Sequence, residues 1–318
     1  MPRETSMLEF SHKPVMKEEC MQGLNLKVGG IYFDGTVGGG GHSYEILNRT
    51  SPSGRLIATD LDDEAIEAAT KRLSPFAGRF SIYKSNYKNF ESVLAQAGVD
   101  KLDGAILDFG ISSHQIDDEE RGFSYKMADA PLDMRMDRQS PLTAEIVLNT
   151  YPEEKIAKIL KLYGEETFAK QIARNVVKYR EIKPLKTSGE FSEIIQKSIP
   201  AKFRYGAPCE RKSFQALRIE VNGELDGLYA LVTNLTRRLK SGGRIVILTF
   251  QSLEDRIVKE AFKEMENPCT CPGNFPVCVC GKKPEIKIIT KKPITAGEEE
   301  LCDNSRSKCA KLRIAEKL

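Results

Sequence analysis

The stretch Ile31-Tyr32-Phe33-Asp34-Gly35-Thr36-Val37-Gly38-Gly39-Gly40-Gly41-His42 decides the fold class. An apolar run ends at an acid, and four consecutive glycines then lead into a helix-like segment from Ser43. Glycine lacks a Cβ, so its backbone can approach a ligand closely and adopt positive φ. A helix opening after such a turn presents N–H groups at the switch point of an open α/β sheet, a common nucleotide site. In the continuation Arg55-Leu56-Ile57-Ala58-Thr59-Asp60-Leu61-Asp62, a second apolar run ends in Asp60. That acid stands at about the separation expected of a ribose-binding carboxylate.

Working outward, strands at 31–34, 55–60, 80–83 and 105–108 alternate with helices at 43–49, 62–73 and 90–97. Asp62 reads as the cap of its helix, with Asp63 and Glu64 in the first turn where the dipole favours them. Strands separated by helical patterns indicate parallel β-α-β units with right-handed crossovers. The rhythm breaks from Asp117 to about Ser213, where no convincing strand is found. Helical spacing predicts helices at 153–163 (Ile156, Ile159, Leu160, Tyr163), 166–179 (Phe168, Ile172, Val176) and 190–199 (Phe191, Ile194, Ile195). Pro184 and Pro200 punctuate them. Afterwards 214–239 reads as one long helix, closed by Ser241-Gly242-Gly243 in the manner of a glycine C-cap. A strand at 244–250, a helix at 252–265 and closing strands at 285–290 and 311–315 follow. The expected organisation is an α/β core of residues 1–116 and 214–318 with an inserted all-helical domain of residues 117–213.

At 318 residues and 40% hydrophobic content, the chain can bury one large core or two modest ones. It has no apolar run of about 18 residues, so no membrane span is expected. Met1-Pro2-Arg3-Glu4-Thr5-Ser6 lacks the apolar segment of a signal peptide, which points to the cytosol. The net charge of +3 says little, but its distribution says more. Between Tyr151 and Ser213 there are 14 Lys/Arg against 8 Asp/Glu, and between Lys282 and Leu318 there are 10 against 6. Such runs are usually solvated helix faces; beside a nucleotide-type site they also suit an RNA substrate. Four of the eight cysteines form Cys269-Thr270-Cys271 and Cys278-Val279-Cys280. In a reducing compartment these C-x-C pairs read as a candidate zinc knot rather than disulfides, or as reduced thiols on a surface loop. No metal is assigned to the catalytic site.

Three strands end in acids: Asp34, Asp60 and Asp108. In a doubly wound sheet these ends line one crevice. Each acid alone could simply cap the next helix. Three beside a glycine loop favour a cofactor with a ribose and a charged amine. Asp60 is then expected to accept from two ribose hydroxyls, and Asp108 to face an ammonium or a reacting amine. The loop from Phe109 to Asp118, followed by 120–125 and 131–137, interleaves aromatics and arginines with carboxylates. That mixture suits the stacking and edge-reading of an extruded base, or makes an ordinary surface loop.

Several long motifs in fixed order carry a more specific signal: Ser11-His12-Lys13-Pro14-Val15-Met16, Asp34-Gly35-Thr36 with Gly40-Gly41-His42-Ser43, and Leu107-Asp108-Phe109-Gly110-Ile111-Ser112-Ser113. Tyr163-Gly164-Glu165-Glu166, Phe214-Gln215-Ala216-Leu217-Arg218-Ile219 and Phe250-Gln251-Ser252-Leu253-Glu254-Asp255-Arg256 continue the series, which closes with 304–306 and 311–316. Over nearly its whole length the chain closely resembles the bacterial ribosomal RNA small-subunit methyltransferase H family. That family methylates the exocyclic N4 of a cytidine in 16S rRNA with S-adenosylmethionine. The resemblance implies a class I Rossmann-like methyltransferase core with a helical insert, and 16S rRNA of the small subunit as partner. It maps cofactor contacts onto Gly40, Gly41, His42, Asp60, Tyr87, Asp108 and Gln115, with Tyr87 against the adenine. His42 by itself would more often be a helix-start residue; only the resemblance promotes it. It gives no warrant for zinc in catalysis.

In such an enzyme the protein mainly supplies alignment, because the sulfonium methyl is already activated. The cytosine amine is a poor nucleophile, and acceptors at its N–H groups would localise its lone pair. Asp108, Ser112 and Ser113 are the candidates for this task. Two other classes stay open at this point: a methyltransferase of a non-RNA substrate, and a non-catalytic RNA-binding assembly factor. A nicotinamide enzyme is disfavoured because the loop lacks a G-x-G-x-x-G arrangement.

Overall fold

The computed structural model describes residues 14–204, 208–272 and 279–318. Ser11, His12 and Lys13 of the first motif and Cys278 of the cysteine-rich loop lie outside the described residues. In chain order, α1 (Lys17–Leu24) precedes β1 (Ile31–Asp34), α2 (Gly41–Arg49), β2 (Arg55–Asp60) and α3 (Asp63–Leu73). Then come β3 (Phe80–Lys84), α4 (Phe90–Gln96) and β4 (Leu102–Asp108). A helical run follows: α5 (Ser113–Asp117), α6 (Ala144–Thr150), α7 (Glu153–Gly164), α8 (Ala169–Arg180), α9 (Ser188–Ser198) and α10 (Arg211–Asn222). The chain closes with α11 (Leu228–Arg237), β5 (Leu239–Thr249), α12 (Ser252–Glu266), β6 (Ile286–Ile288), α13 (Glu298–Asp303) and β7 (Lys311–Lys317).

The strands form one sheet in the order β3-β2-β1-β4-β5-β7-β6. β1 to β5 pair in parallel, and β7 runs antiparallel to both β5 and β6. Apolar side chains of β1, β4 and β5, such as Phe33, Ile106 and Ile247, are buried, as central strands covered on both faces require. Strand order reverses between β1 and β4. The sheet is therefore doubly wound and Rossmann-like, with its ligand crevice outside the carboxyl ends of those two strands.

The chain divides into two compact units. One comprises the described residues up to Gly110 together with Gly227–Leu318, and the other is Ile111–Asp226. The first is built around Met16, Leu24, Tyr32, Ile46, Ile106 and Val246. The second is built around Leu148, Ile156, Leu160, Val176, Phe191 and Leu217. The boundaries expected at 117 and 213 both fall inside the helical unit. Its limits are wider because α10, at its far end, packs on α7 and α6.

The long helix expected at 214–239 is two helices. Gly223 at φ 56° caps α10, donating its N–H to the Ile219 carbonyl. Gly227 at φ 66° precedes α11. Both angles lie in the left-handed region that a continuing α-helix cannot use. Arg218 reaches across the break to Glu224 through two 2.8 Å hydrogen bonds. Ser241-Gly242-Gly243 is not a helix cap but part of β5, where the register against β4 jumps between Leu102–Leu239 and Gly104–Arg244. A Cβ on Gly243 would stand 3.0 Å from the Asp103 carbonyl, so the irregular strand needs glycine there. The helix expected from residue 166 begins at Ala169, because the Glu166 carboxylate accepts the Phe168 N–H at its entry.

Candidate active site

β1, β2 and β4 deliver Asp34, Asp60 and Asp108 to one edge of the sheet, and their environments differ. Asp34 is only 2% exposed and is held from below. The Ser43 hydroxyl donates to one of its oxygens at 2.6 Å and the Thr36 N–H to the other at 3.1 Å. Burial nevertheless pushes its carboxyl up to about 6. With donors on both oxygens, Asp34 fastens the start of α2 to the end of β1.

Asp60 accepts three backbone N–H groups, from Gly38 at 2.9 Å, Leu61 at 2.8 Å and Asp62 at 3.0 Å. A carboxylate offers roughly four acceptor sites. Its orientation is therefore fixed, and about one site is left for a ligand rather than the two that the sequence suggested. Burial raises its pKa while the three N–H groups oppose that shift. The glycine loop thus works on this acid through the backbone of Gly38, which sits at φ 47°.

Asp108 is the least supported of the three. Its own N–H donates to Thr36 Oγ1 at 2.8 Å, which ties β4 to the glycine loop. Burial pushes its carboxyl up to about 7, and the charges of Asp34 and Glu254 add to the shift. His42 Nδ1 lies 3.8 Å from Asp108 Oδ2. His42 Nε2 stands 3.0 Å from the Val15 carbonyl, so that nitrogen carries a proton and Nδ1 is turned to Asp108. Glu254, 2% exposed, is the N3 residue of a capping box on α12 and accepts the Phe250 and Gln251 N–H groups.

Tyr87, half-buried in the turn after β3, lies with its ring 5.5 Å from that of Phe109. A Cβ on Gly35 would overlap Leu107 Cδ2 and lie 3.1 Å from Tyr87 Cβ, so the missing side chain makes room for both. Gly40 and Gly41 serve packing. A Cβ at Gly40 would meet Ala69 at 3.2 Å, and one at Gly41 would meet the Pro14 ring at 3.0 Å. Gly110 allows Phe250 to approach, at 3.1 Å from the position of its missing Cβ.

The sheet unit thus brings together Gly40, Gly41, His42, Asp60, Tyr87 and Asp108. Ser112, Ser113 and Gln115 belong to the helical unit. There the Ser112 N–H donates to Gln115 Oε1 and the Gln115 N–H to Ser112 Oγ, both at 3.1 Å, closing the start of α5. Ser112 therefore acts locally as a helix cap. Thr36, Val15 and Glu254 lie inside the long sequence motifs, but no role was assigned to them there. A role was legible for Glu254, the acid three residues after Gln251 at a helix start.

Three carboxylates at adjacent strand ends, with an aromatic ring beside them, make a crevice suited to a cation carrying a flat ring and hydroxyls. Comparisons with known proteins show the family to which the chain is similar. A family model described as the MraW methylase family matches residues 9–318. A protein of Lachnospira eligens named ribosomal RNA small subunit methyltransferase H is 51% identical over 98% of this chain and 99% of its own length. Proteins of the same name from Clostridium botulinum (strain Kyoto / Type A2) and Carboxydothermus hydrogenoformans are 53% and 51% identical, each over 98% of this chain and 100% and 99% of their own lengths.

Proposed function

This chain belongs to the MraW methylase family, and on that footing we propose that it methylates the exocyclic N4 of a cytidine in 16S rRNA. The small ribosomal subunit in the cytoplasm is the setting this reading implies. The observation that carries it is the match over residues 9–318, together with relatives named as methyltransferases of small-subunit ribosomal RNA.

The acidic crevice fits S-adenosylmethionine, which when bound supplies a methyl group on a sulfonium centre. Asp60, pinned by three backbone donors, offers its remaining acceptor site to a ribose hydroxyl. Tyr87 presents a ring face to the adenine. Gly40, Gly41 and His42, in the turn into α2, would hold the rest of the cofactor. Asp108, raised by burial among like charges, gains most from a positive group close by, and such a group converts it to the ionised form. An ionised Asp108 would then supply an acceptor that localises the cytosine amine lone pair. No strong base is required, since the nitrogen turns acidic as it is alkylated. What the protein contributes is alignment of amine, carbon and sulfur, an effect that can supply several kcal/mol.

The test is mass spectrometry of nucleosides from 16S rRNA of a strain lacking the gene, complemented with the wild type or with Asp60→Ala. N4-methylcytidine should be restored by the wild type and not by the variant. Unchanged N4-methylcytidine in the deletion strain would refute the assignment.

A further inference from the structure

The connection between α12 and β6 carries chemistry that methyl transfer does not use. Cys269, Cys271 and Cys280 come together there, with all three Sγ atoms within 4.8 Å of one another. Cys269 Sγ and Cys280 Sγ are 3.8 Å apart. A disulfide would need about 2.05 Å. Four sulfurs bound tetrahedrally at about 2.3 Å from a zinc ion are separated by roughly 3.8 Å along each edge. The observed spacing therefore matches two ligands of one metal ion and not a covalent bridge. The Val279 N–H donates to Cys271 Sγ at 3.3 Å, which orients that sulfur within the cluster.

We propose that Cys269, Cys271 and Cys280 bind a structural zinc ion. A cluster of soft thiolates selects zinc over the hard oxygen-seeking cations. Binding displaces the thiol protons, and the cross-link closes the connection between residues 269 and 280. Pro268, Pro272 and Gly281, the last at φ 69°, stand beside the three cysteines where a regular helix cannot run. Its two ends are already anchored. The Asn267 N–H donates to the Lys263 carbonyl and the Glu285 N–H to the Met265 carbonyl, each at 2.9 Å. The metal joins Cys269 and Cys271 to Cys280 between those anchors. Cys278 lies outside the described residues, and the site rests on the other three.

The experiment uses the full chain, purified without a histidine tag under reducing conditions, with zinc measured by plasma mass spectrometry. One zinc ion per chain is expected in the wild type, and at least a tenfold drop in Cys269→Ser/Cys271→Ser. A wild-type sample stripped by chelation and refilled with cobalt(II) needs no variant. It should show the sulfur-to-metal charge-transfer and visible bands of a tetrahedral thiolate site. A wild-type protein that takes up neither metal, that holds iron instead, or that yields a Cys269–Cys280 disulfide peptide when isolated reduced would overturn the proposal.

Discussion

Burial, with like charge from Asp34 and Glu254, pushes the Asp108 carboxyl up to about 7. In an unfolded chain an aspartate titrates near ~3.9. Between those two values the folded protein holds a proton that the unfolded chain has lost, so this residue makes stability fall as pH rises through that window. Asp108→Asn removes the effect. Its melting temperature should exceed that of the wild type at about pH 8, by the equivalent of at least ~1 kcal/mol, and the gain should vanish near pH 4. Its affinity for S-adenosylmethionine should fall tenfold or more. Thermal denaturation across pH and calorimetry of cofactor binding measure both; a pH-independent difference in melting temperature would break the link to titration. Asp34 is shifted in the same direction, up to about 6, but its donors are internal. Ser43→Ala removes the 2.6 Å hydrogen bond to a carboxylate only 2% exposed and should destabilise by ~1–3 kcal/mol. Denaturant titration should find a larger loss at about pH 8 than at pH 5, since the lost donor serves the ionised form best. In the sequence the acids at 34, 60 and 108 look alike. What separates them is the number of donors each meets, and those donors come from backbone turns and from a helix nine residues on, which no single-strand pattern encodes.

At the scale of the element, strands and most helices were legible because burial imposes a strict period on them. The sheet's β1, β2 and β4 and the helices α7 and α9 lie within a residue or a few of where the apolar spacing put them. The failure at 214–239 has a physical cause. The apolar stripe at Leu217, Val221, Leu228, Leu231 and Leu235 keeps helical spacing across a break that only Gly223 and Gly227 mark. Isolated glycines are tolerated inside helices, so their cost did not outweigh the stripe. The two kinds of left-handed glycine can be told apart by substitution. Around Gly227, at φ 66°, a Cβ meets nothing within 4 Å, so Gly227→Ala suffers conformational strain alone, about 1 kcal/mol. Gly40, at φ 75°, adds a 3.2 Å contact with the Ala69 backbone. Gly40→Ala should therefore cost clearly more, ~2–4 kcal/mol, because strain and overpacking add. Equal losses in chemical denaturation would mean that α3 yields to the added methyl.

At the scale of the whole molecule, the chain divides its charge as it divides its cores. The sheet unit carries the acidic crevice, whereas residues 151–213 of the helical unit carry 14 Lys/Arg against 8 Asp/Glu. Part of that positive charge is engaged internally. Lys183 lies 2.8 Å from Glu190, and the Arg180 guanidinium donates to the Leu148 carbonyl at 2.7 Å. Lys158, Lys161, Lys170 and Lys178 are exposed on α7 and α8. If this unit holds RNA, binding releases about one counterion for each phosphate contacted, with a log–log salt slope near −0.7 per contact for single strands and −0.9 for duplex. The local excess of 6 positive charges sets the scale. The slope for a 16S rRNA fragment should therefore lie no steeper than about −5, and each Lys→Gln change at those four positions should flatten it by up to ~1 while lowering affinity for all sequences alike. Cofactor affinity, set by the acids of the other unit, should stay constant through the series. A slope that is unmoved when all four lysines are replaced would assign RNA binding to another surface, with the basic segment of residues 282–318 next in line.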